Sequence, residues 1–215
     1  MKISDLKQIN RKSISNIIFD WGGVITELEF ATAEKKFNEI GLENIISYFT
    51  KNQKTNFLLD METGRITPEE FRIEIRKHLP NETSDEEIDD AWNSVLGDTP
   101  ANRIATLKKL GTKYNLYLLS NTNKIHVDYF NKKLRQEQGV DHYTLFKKVY
   151  YSHDLGARKP DAEFFRAMLA DSRVDLQSTL FIDDLEANID AAASLGIMAF
   201  HLTPSLDIAD LFNEW

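Results

Sequence analysis

The stretch Ile17-Ile18-Phe19-Asp20-Trp21-Gly22-Gly23-Val24-Ile25 is an apolar run that stops at an acid and turns on two glycines. Three consecutive large apolar residues fit a strand covered on both faces, where alternation is lost because neither face meets water. A carboxylate at the end of such a strand adds nothing to packing. Two glycines just beyond it allow the chain to turn sharply away.

Four further runs have the same character: Asn115–Leu119, Lys148–Tyr151, Thr179–Ile182 and Ile197–His201, with the first strand taken as Ser15–Phe19. Helical patterns lie between the later ones. Asp161–Ala170 follows Pro160, a favourable first helical position, and Glu186–Leu195 ends at Gly196, a common C-terminal signal. Strand, helix and strand repeated in this way predict an α/β protein with a parallel sheet and right-handed crossovers.

Residues 30–97 depart from the alternation. They contain no strand pattern but two capping boxes, Thr67-Pro68-Glu69-Glu70 and Ser84-Asp85-Glu86-Glu87. After the second, Ile88, Ala91, Trp92, Val95 and Leu96 share one predicted helical face. Ordinary strand-to-helix connections are short, so an all-helical block here predicts a separate lobe. The expected division is a core of residues 1–28 and 98–215 with a helical domain at 29–97.

The 215 residues carry a formal charge of −8, are 42% hydrophobic and include no cysteine. Disulfide and thiolate chemistry are excluded, and a reducing compartment is compatible. Net acidity argues against non-specific nucleic-acid binding. No run approaches the roughly 20 apolar residues of a membrane span, and Met1 to Lys12 lack the apolar centre of a signal peptide. The expectation is a soluble cytoplasmic protein with no nucleic-acid or membrane partner. Oligomeric state is not legible.

In open parallel sheets, ligands bind beyond the carboxyl ends of the strands. There this sequence places Asp20, then Ser120 and Asn121 in LLSNTN, Lys159 in LGARKP, and Asp183-Asp184 in LFIDDLEAN. Taken singly, each has an ordinary explanation as a helix cap, turn residue or solvated lysine. The adjacent acids are harder to explain, because they repel unless a cation compensates. Together the set suits phosphoryl transfer. A carboxylate can attack phosphorus to give an aspartyl phosphate. A hydroxyl, amides, an ammonium and Mg²⁺ can then hold the charge on the transferring group. Two carboxylates and a carbonyl satisfy Mg²⁺ when water and substrate complete its shell.

At this point the sequence resembles the haloacid dehalogenase (HAD) superfamily, with FDWGGV, LLSNTN, RKP and FIDDLEAN similar to its four motifs in order. The resemblance implies a Rossmann-like core with strand order 5-4-1-2-3, an inserted α-helical cap of the first type, and Mg²⁺. It implies Asp20 as nucleophile and metal ligand, the Gly22 carbonyl and Asp183 as further ligands, and Asp184 acting near the metal. Ser120 and the Asn121 amide would hold the phosphate, which Lys159 would neutralise from the start of the helix opened by Pro160. Asn188 would support the Asp183-Asp184 loop, or is simply a polar residue on a first helical turn.

Position 22 departs from the family pattern, in which most phosphatases carry a second aspartate as general acid and base. Three explanations compete: a non-catalytic binding protein, proton transfer by another group such as His153 or Glu27, or a leaving group that departs unaided. The wording is most similar to a bacterial subgroup acting on anomeric hexose phosphates, α-D-glucose-1-phosphate phosphatases among them. The substrate class implied is a small phosphorylated metabolite. A 2-haloacid dehalogenase is the rival enzyme, but it would leave Asp183 and Asp184 without a purpose. Arg65, in ETGRITPEEF, is a further candidate to meet an anion, and Trp21 either lines the pocket or packs.

Overall fold

The computed structural model describes residues 11–43, 45, 57–80, 82–213 and 215. Strand β1, Asn16–Phe19, lies at the centre of a five-stranded sheet. After it come helices α1 (Phe30–Glu39), α2 (Phe57–Glu62), α3 (Pro68–Arg76), α4 (Asp85–Asn93) and α5 (Ala101–Gly111). Then follow β2 (Asn115–Ser120), α6 (Lys124–Gln138), β3 (Lys148–Tyr151), α7 (Ser152–Leu155) and α8 (Ala162–Ser172). The chain closes with β4 (Thr179–Asp183), α9 (Glu186–Ser194), β5 (Met198–His201) and α10 (Ile208–Leu211).

All four strand pairings are parallel, and the order is β3-β2-β1-β4-β5, the expected 5-4-1-2-3 order read from the other edge. Ile17 pairs with Leu116 and Leu180, and Ile18 with Tyr117 and Phe181. Successive strand residues serve opposite faces. Ile17, Phe19, Leu118 and Ile182 join one buried cluster with α5 and α6, while Ile18, Leu119 and Phe181 join another with α8 and α9. That is why the runs are apolar without alternation: each strand contributes to two cores. Burial of each such large side chain stabilises by about 1.5–3 kcal/mol.

Among the described residues, the four helices between Phe30 and Asn93 pack around their own cluster, including Phe37, Met61, Phe71, Ile88 and Trp92, joined by Ile125 from α6. Both capping boxes form: Thr67 and Ser84 accept from the Glu70 and Glu87 amides, and each glutamate answers its cap's backbone N–H. Ile88, Ala91 and Trp92 are buried as expected, but α4 ends at Asn93, so Val95 and Leu96 lie beyond the helix. The way in and the way out of this segment run side by side. Leu28 and Leu96 form an antiparallel bridge, flanked by Glu29 N–H to Val95 O at 2.8 Å and Gly97 N–H to Glu27 O at 2.9 Å. Among the described residues no helix is long and apolar enough to cross a membrane.

The strand ends shift by a residue from expectation, with β1 starting at Asn16, β2 reaching Ser120, β4 reaching Asp183 and β5 starting at Met198. A larger correction concerns Pro160. It does not open a helix: α8 begins at Ala162 behind Asp161. Asp161 N–H closes a turn on Arg158 O at 2.8 Å, and the Lys159–Pro160 peptide is cis. Lys159 therefore sits in a turn rather than at a helix start.

Candidate active site

The reversal of strand order falls at β1, so the carboxyl ends of β1, β2 and β4 open into one crevice. Asp20 follows β1, Ser120 ends β2 and Asp183 ends β4. All three are buried. Ligand oxygens of Asp20, Asp183 and Asp184 lie within 4.8 Å of one another. Three carboxylates this close repel strongly in a low dielectric, and something positive must hold them.

Part of that charge is Lys159. Its Nζ stands 2.9 Å from Asp20 Oδ1 and 2.7 Å from Asp183 Oδ2, with the side chain fully buried. Burial alone would lower the Lys159 pKa, but Asp20 and Asp183 outweigh it and the net shift is upward. The ammonium is thereby kept charged. Asp20 is different: burial, opposed by Lys159 and reinforced by Asp183 and Asp184, raises its pKa from 3.8 to about 7. Burial and then Asp183 also raise Asp184. One ammonium against three carboxylates leaves the cluster short of positive charge. An all-oxygen donor set with that deficit fits a hard divalent cation.

The loops that aim these groups are fixed by local hydrogen bonds. Asp20 Oδ1 accepts from the Trp21 amide at 2.7 Å. Asp183 Oδ1 accepts from the Leu185 amide and from Asn188 Nδ2, each at 2.9 Å, so the carboxylate is held from three directions once Lys159 is counted. Gly23 has φ +72°, and a Cβ there would lie 2.3 Å from Asp184 Oδ2. Only glycine both adopts that turn and leaves room for Asp184. Asn121 does something its sequence position gave no sign of. Its Oδ1 accepts from Lys159 N–H at 2.8 Å and its Nδ2 donates to Lys159 O at 2.9 Å. The side chain grips the lysine's backbone from both sides.

Above these groups is a cavity of about 590 Å³, within the usual range for a small ligand. Asp20, Gly22, Ser120, Asn121, Asp184 and Asn188 line its floor, while Asp183 and Lys159 are not among the lining residues. Lys159 thus lies beneath the floor, in contact with Asp20 and Asp183. The upper wall comes from α1, α2, α4 and the chain just after α4, with Phe37, Leu58, Trp92 and Leu96 among its apolar residues. Trp21 lines the cavity and also packs, stacking on Phe130 at 4.5 Å. Leu28 fills the space beside Gly22, where a Cβ would meet its Cδ2 at 3.2 Å.

Neither expected substitute for an acid at position 22 lines this cavity. Glu27 is half exposed and faces Arg103 at 3.8 Å. His153 Nδ1 bonds Thr122 O at 3.1 Å. Arg65 is mostly exposed, paired with Asp60 at 3.3 Å, and away from the lining. Two residues absent from the sequence expectations do line it: Glu62, at the end of α2, and Arg158, which contacts Glu62 Oε2 through Nε at 3.0 Å. Burial raises the Glu62 pKa against the opposing pull of Arg158 and Lys159.

A strand-end nucleophile candidate, a buried lysine and a compact set of carboxylates beneath a helical roof are the parts of a group-transfer site on an α/β sheet. The model for the haloacid dehalogenase-like hydrolases matches residues 14–196, and the chain belongs to that family. A D-ribitol-5-phosphate phosphatase from Bacteroides thetaiotaomicron is 31% identical over 187 residues, 87% of this chain and 91% of that protein. A sesquiterpene phosphatase from Aspergillus oryzae is 29% identical over 88% of this chain and 90% of its own length. Among solved structures, a wild-type HAD family enzyme from Bacteroides thetaiotaomicron in complex with magnesium and inorganic phosphate is 38% identical, with a TM-score of 0.87. That match covers 93% of this chain and 99% of the other.

Proposed function

We propose that the protein is an Mg²⁺-dependent phosphatase that hydrolyses a small phosphorylated metabolite through an aspartyl phosphate on Asp20. What carries the reading is the Asp20, Asp183 and Asp184 cluster around Lys159 at the strand ends. The magnesium and phosphate bound by the 38% identical relative support it. Asp20, Asp183 and the Gly22 carbonyl would hold the cation, which when bound supplies positive charge to the phosphoryl oxygens and to the nucleophile.

Asp20 Oδ attacks phosphorus, the P–O bond to the alcohol breaks, and water later cleaves the acyl phosphate to free Asp20 and inorganic phosphate. Lys159 favours the ionised form of Asp20 against the opposing effect of burial, and offsets phosphate charge from below. Ser120 and the Asn121 amide hold the equatorial oxygens. Asp184 acts near the metal, and Asn188 keeps the Asp183 loop in place. Residues 29–97 act as a cap domain on a core formed by 1–28 and 98–215, closing the reaction from bulk water.

The substrate belongs with the polyol and sugar phosphates, an anomeric hexose phosphate being one candidate. The ribitol-phosphate phosphatase among the relatives favours this class. An anomeric oxygen also leaves with less protonation than an ordinary alcohol, which suits a site without an acid at Gly22. A dehalogenase reading leaves the adjacent acids unused, since displacement of halide from carbon needs no cation.

The test is phosphate release from p-nitrophenyl phosphate, glucose 1-phosphate and glucose 6-phosphate by the wild type and by Asp20→Asn. Mg²⁺-dependent release that disappears in Asp20→Asn is expected. Wild-type protein that binds Mg²⁺ yet releases no phosphate from any of the three would favour a binding role instead.

A further inference from the structure

Beyond the catalytic floor, the cavity is walled chiefly by apolar side chains, and a ligand's alcohol portion has few polar partners there. Among the described lining residues of the upper part, those with titratable or charged side chains are Glu62, His126 and Arg158.

His126 is already committed. Its Nε2 lies 3.1 Å from Trp92 O, which can only accept, so that nitrogen carries the proton. Its Nδ1 then accepts from Asn123 Nδ2 at 3.2 Å. Burial lowers its pKa to about 4, which keeps it neutral. Both ring nitrogens are used, and the ring stacks on Trp92 at 4.9 Å. His126 fastens α4 to α6 and has nothing to offer a ligand.

Glu62 and Arg158 are not committed in this way. Arg158 Nε is buried and lacks a hydrogen-bond acceptor, even though Glu62 Oε2 is only 3.0 Å away. The N–H is therefore not aimed along that vector. Among the described residues, Glu62 makes no hydrogen bond to another side chain beyond this contact, and a quarter of its side chain remains accessible. Both side chains keep accessible area, 37% for Arg158 and 24% for Glu62, so guanidinium donors and carboxylate lone pairs are offered side by side along the cavity wall. A hydroxyl group gives one hydrogen and takes another, so it complements such a pair.

Resting on the phosphatase reading above, we propose that Glu62 and Arg158 are the specificity-determining pair for a hydroxyl on the alcohol portion of the substrate, and so select hydroxylated phosphate esters over alkyl ones. Glu62 comes from the helical segment and Arg158 from the residue before Lys159. A hydroxyl bridging them ties the roof to the same turn that carries the catalytic lysine. The pair needs no proton transfer: Arg158 donates to the hydroxyl oxygen and the hydroxyl donates to Glu62.

The experiment compares D-ribitol 5-phosphate with n-pentyl phosphate, two five-carbon esters that differ in hydroxyls. The wild type and Glu62→Gln are assayed for kcat/KM on both. Binding of both to Asp20→Asn and to Asp20→Asn/Glu62→Gln is measured by calorimetry with Mg²⁺ present. The wild type should prefer the polyol ester. Glu62→Gln should cut that preference about 10–100-fold, the value of one hydrogen bond to a charged group. The loss should appear chiefly in KM and equally in the binding ratio of the two Asp20→Asn proteins.

An equal loss on both esters, or a shifted basic limb of the pH profile, would make Glu62 a fold-supporting residue or a proton donor and overturn the proposal. So would a wild type that prefers pentyl phosphate. If no phosphate is released from either ester but the binding preference still depends on Glu62, the phosphatase reading fails and the recognition pair stands.

Discussion

Leu28 crowds the space that a side chain at position 22 would enter, which makes the missing acid a matter of two residues. A Cβ at position 22 would already press on both Leu28 methyl groups, at 3.2 and 3.3 Å. Gly22→Asp alone is therefore expected to gain little, because the new carboxyl is pushed off the line to the leaving oxygen. Gly22→Asp with Leu28→Ala should raise kcat on alkyl phosphates, toward the ~10²–10⁴-fold that a positioned general acid supplies. Steady-state kinetics on p-nitrophenyl phosphate and an alkyl phosphate decide it, since only the poor leaving group should benefit. A double variant no faster than wild type on the alkyl ester would show that position 22 does not face the leaving group. Residues that end a buried strand, such as Asp20 and Asp183, were readable because a charge there stands out against the apolar run. Glu62 and Arg158 were not, since each looks like any surface charge until the fold brings together positions far apart in the chain. Arg65 was the more conspicuous guess, and a local partner, Asp60, occupies it.

The elements were legible in proportion to how local their causes are. Capping boxes involve four consecutive residues, and both formed as read. Each satisfies two amides, so Thr67→Ala and Ser84→Ala should each cost about 1 kcal/mol. Urea unfolding should show the midpoint falling with an unchanged slope, and the two losses adding in the double variant. Non-additivity beyond about 0.5 kcal/mol would mean that α3 and α4 respond as one unit. The segment around Lys159 misled for the opposite reason. Pro160 favours a helix start on local grounds, but the Asn121 side chain holds both backbone polar groups of Lys159 from a loop after another strand. That long-range grip sets the turn and pushes the start of α8 to Ala162.

For the whole molecule, the charge imbalance at the strand ends should be visible in stability. A carboxyl whose pKa rises on folding binds its proton more tightly in the folded chain than in the unfolded one. Its contribution to stability is therefore present at low pH and is lost as the pH climbs from 3.8 toward about 7. Without metal, this group makes the protein less stable near neutrality than at pH 5. Asp20→Asn should flatten that part of the profile. Added Mg²⁺ should stabilise the wild type more at pH 7.5 than at pH 5, since protons compete for the same oxygens. Thermal melts with and without Mg²⁺ at both pH values test this; a magnesium shift independent of pH would place the ion elsewhere. A parallel sheet was readable from the runs themselves, but its strand order came only through the family resemblance that the four strand-end motifs carry. The shape of the cavity was not, because its walls are ordinary core residues until the helices close over the sheet.

The antiparallel bridge at Leu28 and Leu96 brings the two ends of the helical segment together. To the sheet, a long detour is no different from a tight hairpin, and the entropy of closing a loop grows only slowly with its length. An insertion anchored in this way can be lengthened, shortened or exchanged during evolution with little penalty to the strands that carry the chemistry. The seam between the helical segment and the sheet is only a few hydrogen bonds wide.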